Sequence, residues 1–352
     1  MEFLIEYGLF LAKVATVLLA LFVLLSMLVG ARQQRRADPA GRLEVKHLNE
    51  AFEQMTKTLH QAMRSVEAQK VADKEEKKSA KARQKAEKQL LKAKAKSNTD
   101  ESEPGKVFVL NFEGDVEASG VESLREEITA VLAIAETDDE VLVKIESPGG
   151  VVHGYGLAAS QLKRVTDQKI KLTVAVDKVA ASGGYMMACI ADTIIAAPFA
   201  VLGSIGVVAQ LPNFHRLLQK QSVDVELHTA GEYKRTLTLF GENTDAGREK
   251  FKSELEDVHQ LFKAFVSDNR PAVDIEAVAT GEAWYGGRAL EKGLIDKIQT
   301  SDEYLVELMK VRSVYAISYE MQESRVEKVM KRFAQLASNW RAGGRLLAQH
   351  DV

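Results

Sequence analysis

Apolar and polar positions change their rhythm several times along the chain. Residues 8–30, GLFLAKVATVLLALFVLLSMLVG, are almost unbroken apolar sequence, enough for a helix to cross a hydrocarbon layer of about 30 Å. Lys13 is the one charge inside that stretch, close enough to its end for the amine to reach the interface. Glu2 and Glu6 precede it where a cleaved signal peptide would carry basic residues, so residues 1–31 are expected to stay as a membrane anchor. From 43 to 66, Val45, Leu48, Phe52, Met55, Leu59, Ala62 and Val66 recur at spacings of three and four. That rhythm predicts a helix whose seam packs on another helix. Residues 70–96, KVADKEEKKSAKARQKAEKQLLKAKAK, keep the helix formers and lose the seam. They read as a solvated spacer, with a basic face suited to anionic lipid as the sharper alternative. The whole linker, 32–104, ends in SNTDESEPG at 97–105.

Beyond Lys106 short apolar runs alternate with amphipathic stretches. KVFVLNFEG reads as a buried strand, 119–135 as a helix, EVLVKIESPGG at 140–150 as a strand and its exit, 154–166 as a helix, and KLTVAV at 171–176 as a third strand. This order predicts an α/β domain with largely parallel strands over 105–300, in which sites gather at the loops after the strand ends. The apolar run 185–211 is long enough to imitate a second membrane span. Asp192, Pro198, Gly203 and Gly206 interrupt it, and a buried helix followed by buried strands accounts for it. VDVELHTAG at 223–231 looks like a further strand. Residues 301–352 read as an extension with helices at 302–310 and 325–347 and strand-like VYAISY between them. Trp340 and its neighbouring arginines in that tail suit a partner helix better than a membrane surface.

Charge narrows the possible partners. A net charge of -3 over 352 residues gives no electrostatic case for nucleic acid. The single cysteine, Cys189, excludes an intrachain disulfide and a cysteine-built zinc site, and its apolar surroundings make it a core residue. Arg32, Arg35, Arg36 and Arg42 follow the anchor, and the positive-inside rule places that side in the cytoplasm.

Two glycine-bearing loops carry the candidate chemistry. ESPGG at 146–150 leaves a strand, and Gly149 and Gly150 permit a backbone that aims amide N–H groups at an oxyanion. An ordinary strand-to-helix turn explains the same residues. In AASGGYMMA, 180–188, Ser182 reads either as the cap of a helix or as a nucleophile whose following amide supports the developing charge. A serine needs a base. His153, His215 and His228, with Asp192 or Asp224 to orient one of them, stand in segments that do not otherwise resemble a site. Lys234 in TAGEYKRTLTLFGENT is the alternative, because a desolvated lysine can act as a neutral amine.

IESPGG, VAASGGYMMACIADTIIAAP, LGSIGV and GEYKR, in that order, together resemble the signal peptide peptidase A family of membrane-anchored serine proteases. The resemblance covers roughly residues 106–300 and includes the closing GEAWYGGRALEKGLIDKI. It implies a ClpP/crotonase-like fold and a serine-lysine dyad that needs neither metal nor cofactor. Ser182 takes the place of the nucleophile, Lys234 that of the general base, and Ser204 of LGSIGV that of the serine that holds the lysine amine. Gly183, with Gly149 or Gly150, supplies the oxyanion donors. The resemblance further implies a homo-oligomer whose dyad is shared between protomers. It points to an inner-membrane enzyme whose substrates are residual signal peptides or unfolded polypeptides, and family members act on the outer side of that membrane, opposite to the side favoured by the arginines. A crotonase-like acyl-thioester enzyme, which would want an acidic base and a coenzyme site, and a non-catalytic scaffold built on the coiled segment are the competing readings.

Overall fold

The computed structural model describes residues 41–63 and 104–321, together with residues 7, 8, 10, 13, 14 and 16. The chain divides into two units, Met1–Glu44 with Tyr319–Val352, and Val45–Ser318. In the first, Gly41 lies against the Tyr319 ring, where a Cβ would come within 2.2 Å.

In chain order the elements are β1 (Arg42–His47), α1 (Leu48–Met63), β2 (Val107–Glu113), α2 (Val121–Leu132), β3 (Glu140–Glu146), α3 (Val152–Asp167), β4 (Lys171–Val176), β5 (Val179–Ala181) and α4 (Gly183–Ala188). They continue with β6 (Thr193–Ala196), β7 (Val201–Gly203), α5 (His215–Lys220), α6 (Asp245–Asn269), α7 (Ile275–Val278), β8 (Ala283–Tyr285), α8 (Gly286–Glu291), β9 (Lys297–Ile298), α9 (Ser301–Met309) and β10 (Val314–Glu320). The large sheet has the order β1-β10-β2-β3-β4-β6-β9, and a small one the order β5-β7-β8. From β10 to β9 every pairing of the large sheet is parallel. The expected α/β domain is therefore present.

Alternation along the strands assigns the two faces. Phe108, Leu110 and Phe112 of β2 and Val141, Val143 and Ile145 of β3 point into a core shared with α2 and α3. Val107, Val109 and Leu142 point the other way, toward Leu305 of α9 and partly buried Leu48. α2 forms where Val121, Leu124, Ile128 and Val131 recur on one face, and those residues are its buried stripe. Within the run 185–211 the expected buried helix and strands are present as α4, β6 and β7, while 204–211 form no strand and 208–211 are exposed.

Three expectations are corrected. Residues 42–47 form edge strand β1 instead of the start of the seam helix, which begins at Leu48. The side chain of Asn49 explains the break: it donates to the carbonyls of Met309 and Arg312 and accepts from the Val314 N–H, binding the start of α1 to the end of α9 and the start of β10. Residues 223–231 form no strand and are exposed; alternation favours a strand only where an edge is available to pair with it. The third correction concerns only the place of VYAISY: the expected strand is present as β10, and it lies inside the large sheet instead of in an extension beyond it. Among the described residues no helix is long and apolar enough to cross a membrane. Most of the predicted span, the spacer and the 325–347 helix lie outside the described residues.

Arg270, just after α6, ties distant elements together. Its guanidinium donates to both carboxylate oxygens of Asp296, at 3.0 and 2.8 Å, and to the Gly293 carbonyl at 3.0 Å. Asp296 also accepts from the Ile194 N–H of β6. Arg270→Ala is expected to lower unfolding free energy by about 2 kcal/mol, a typical cost for charge-assisted hydrogen bonds. Arg270→Lys should recover little, since an ammonium does not reproduce the planar fork. Denaturant unfolding of the two variants checks both statements.

Candidate active site

The site grows from the ends of adjoining strands. β5 and β7 pair in parallel, with Ala181 beside Gly203, and the residue that follows each is a serine with φ of 51°. Ser182 and Ser204 thus leave neighbouring strands with the same positive φ. For a non-glycine residue such a conformation costs on the order of 1–3 kcal/mol and persists only when its surroundings impose it. Ser182 donates its N–H to the Gly203 carbonyl at 2.7 Å and accepts from the Met186 N–H at 2.9 Å, so both backbone groups are fixed.

This geometry tells against the cap reading. Ser182 stands at the N-terminus of α4, yet its side chain caps no amide. Among the described residues its Oγ has no hydrogen-bond partner, and the residue is half-buried at the wall of a cleft of about 550 Å³. Tyr155, Met186, Val207, Leu261, Phe262 and Phe265 give that cleft an apolar lining.

Gly149, with φ of +89°, packs its backbone directly against the serine; a Cβ there would lie 2.7 Å from Ser182 Cβ and 2.8 Å from Gly183 N. Its own N–H is spent on Ser147 Oγ at 3.1 Å. Among the described residues the N–H groups of Gly150 and Gly183 have no acceptor. Of the two candidates in SPGG, only Gly150 therefore keeps a free donor. Gly183 has no room for a side chain, since a Cβ would sit 2.3 Å from Tyr155 Cγ.

Ser204 donates its N–H to the Glu282 carbonyl at 2.8 Å and its hydroxyl to the Gly281 carbonyl at 3.4 Å. Lys234 lies elsewhere, on the long connection between β7 and α6, where it is exposed. Among the described residues its ammonium has neither a hydrogen bond nor an ion pair, and none links it to Ser182 or Ser204. The structure brings Ser182, Gly183, Gly149 and Gly150 together, sets Ser204 on the adjacent strand and leaves Lys234 apart. The connection has a fixed base: Asn213 donates to the carbonyls of Thr238 and Gly241, and Phe214 stacks on Phe240. Its apolar side chains nevertheless face solvent, among them Leu211, Phe214, Leu217, Val225 and Leu227.

Three of the other candidates considered as base or orienting group are placed as follows. His153 is exposed, His228 pairs with Glu226, and Asp192 accepts from the Leu172 N–H as a structural group. Cys189 is buried, which pushes its thiol up to about 12. Among the described residues no cluster of His, Cys, Asp or Glu could hold a metal ion.

Sequence reasoning left two buried polar residues unassigned. Ser147 and Tyr155 are wholly buried beneath the cleft and share a 2.6 Å hydrogen bond. Burial raises the Tyr155 phenol above its ordinary value, against an opposing contribution from the Ser147 contact. Ser147 stood within the quoted ESPGG, but nothing in that string tells where its hydroxyl points. Tyr155 is one turn into the following helix, a place that offers no signal of its own.

Comparison with known proteins follows the same lines. The family described as Peptidase family S49 N-terminal matches residues 2–162, and Peptidase family S49 matches residues 164–315. The chain is 49% identical over 338 residues to a probable protease SohB of Haemophilus influenzae, covering 96% of this chain and 95% of that one. It is also 49% identical over 306 residues to a probable protease SohB of Buchnera aphidicola subsp. Schlechtendalia chinensis, covering 87% and 99% of the two chains. A solved structure of the 1510-N membrane-bound stomatin-specific protease with a substrate peptide aligns with 66% of this chain and 98% of its own at a TM-score of 0.41 and 13% identity.

Proposed function

The chain belongs to peptidase family S49 and is a peptidase; on that premise we propose that it is a membrane-anchored serine endopeptidase with Ser182 as nucleophile and Lys234 as general base. The observation that carries this reading is Ser182 itself, fixed at positive φ with an uncapped, unpartnered hydroxyl beside an apolar cleft and two free amides. Neutral Lys234 takes the Ser182 proton as Oγ attacks the peptide carbonyl. The N–H groups of Gly183 and Gly150 receive the oxyanion. The lysinium then protonates the leaving amine, and water activated by the same amine hydrolyses the acyl-enzyme. Ser204 holds the lysine amine in place. The fold is of the ClpP/crotonase type, and the stretch at 8–30 holds the enzyme at a membrane.

The apolar cleft favours apolar side chains next to the cut bond, in keeping with residual signal peptides or unfolded polypeptides as substrates. Lys234 reaches Ser182 from a neighbouring copy. Its exposure and the wetted apolar residues of its connection support that arrangement, since docking on a second copy buries both. A lysine base must shed water to be neutral, and such docking would remove it.

Mixing two inactive chains tests the proposal. Ser182→Ala and Lys234→Ala proteins co-assembled in equal amounts should regain activity, because about a quarter of randomly mixed sites pair an intact serine with an intact lysine in a symmetric assembly. Mixed oligomers that stay silent would show that each site is made within one chain.

A further inference from the structure

The buried polar groups under the cleft form a single directed chain. Tyr155 Oη lies 2.8 Å from the carbonyl oxygen of Asp115, which can only accept, so the phenolic hydrogen is committed there. The 2.6 Å contact between Ser147 Oγ and Tyr155 Oη must then use the serine hydrogen. Ser147 Oγ in turn accepts from the Gly149 N–H. Each hydrogen is allotted once, from Gly149 through Ser147 and Tyr155 to Asp115, and bonds in such a series polarise one another.

The two middle members of this chain, Ser147 and Tyr155, touch the residues around Ser182. The backbone of Ser147 is paired with β5: its N–H donates to the Val179 carbonyl at 2.8 Å and its carbonyl accepts from Ala181 at 3.0 Å. Ser147 is thereby locked to the strand that ends at Ser182, while its hydroxyl holds the glycine loop. The ring of Tyr155 meanwhile backs onto Gly183. On the far side of the loop the Val151 N–H donates to the Val116 carbonyl at 2.8 Å. Gly150 is held between those two anchors. The packing has no slack, since a Cβ on Gly114 would come within 2.4 Å of both Ser147 Oγ and Tyr155 Oη.

We propose that Ser147 and Tyr155 are positioning residues that set the oxyanion donors, by orienting Gly149 so that the free N–H of Gly150 and that of Gly183 face one point beside Ser182 Oγ. The proposal rests on the peptidase reading of Ser182. Neither residue touches the reacting atoms. Their role is to keep the donors in place before charge develops, where displacement by about 1 Å costs on the order of a hundredfold.

The test uses the full-length protein in detergent and a quenched fluorescent unfolded polypeptide. Ser147→Ala, Tyr155→Phe and the double variant should each lower kcat by about 10- to 100-fold with KM changed less than about twofold. The double variant should be no worse than the poorer single one, because either change breaks the same chain. A peptide aldehyde, whose adduct oxygen enters the donor site, should lose affinity in step with kcat/KM, whereas the corresponding uncleaved peptide should bind to a Ser182→Ala background as before. Wild-type kcat with only a lower Tm, or losses that multiply in the double variant, would overturn the proposal, as would failure of both single variants to fold. Tyr155→Phe keeps the ring, so it reports even where Ser147→Ala does not fold. The underlying reading fails separately: an active Ser182→Ala chain removes it, while a dead one beside fully active Ser147→Ala and Tyr155→Phe removes only the positioning roles.

Discussion

Replacing Ser182 by alanine is expected to abolish peptide cleavage, by about 10⁴-fold or more, and to leave stability within about 0.5 kcal/mol. The second half of that expectation comes from the structure. Ser182 Oγ neither caps α4 nor has a partner among the described residues, so its removal strands no buried donor or acceptor. Alanine inherits the same backbone strain at φ of 51° and the same two backbone hydrogen bonds. A melting curve that overlays the parent, together with complete loss of labelling by a fluorophosphonate, would match this account. Persistent labelling would move the nucleophile elsewhere, with Ser204 the first to examine.

Gly149→Ala should also be damaging, less so and through a different cause. The residue sits at φ of +89°, where a side chain costs about 1–2 kcal/mol. The added Cβ would also meet Ser182 Cβ at 2.7 Å and the main-chain atoms Ala181 O and Gly183 N at 2.8 Å. Two of those neighbours are backbone and cannot rotate away, so the loop and Ser182 must separate. Loss of activity by about 100-fold or more is expected, exceeding what the fall in stability explains at temperatures where the variant stays folded. Gly287→Ala in α8 is the companion variant, because a Cβ there meets nothing within 4 Å. Steady-state kinetics and thermal unfolding of this pair separate crowding at the site from a general intolerance of alanine.

How far the sequence foretold these features depends on whether the signal was local. Strands β2, β3 and β4 were readable because alternation and apolar runs are properties of a few neighbouring residues. The rhythm at 43–66 misled because three- and four-residue spacing also fits a strand followed by a helix; the deciding contact, Asn49 with residues 309–314, spans most of the chain. VDVELHTAG has the pattern of a strand but pairs with no other strand and stays exposed. At the site, the glycines and Ser182 were visible as a motif. The difference between Gly149 and Gly150 was not, since it turns on one hydrogen bond from Ser147 Oγ through space. Lys234 was named from its motif, and no linear pattern says from which copy a side chain arrives.

Strand β10 has a consequence for the protein's synthesis. It lies inside the large sheet, between β1 and β2, although it is made after every other described strand. Until the ribosome has released residue 320, β2 lacks one of its two neighbours and Asn49 lacks its partners. Pairings between such distant segments form late in folding. A chain still short of β10 therefore has all the residues of the cleft without the complete sheet beside them, so the sheet closes only after every cleft residue has been made.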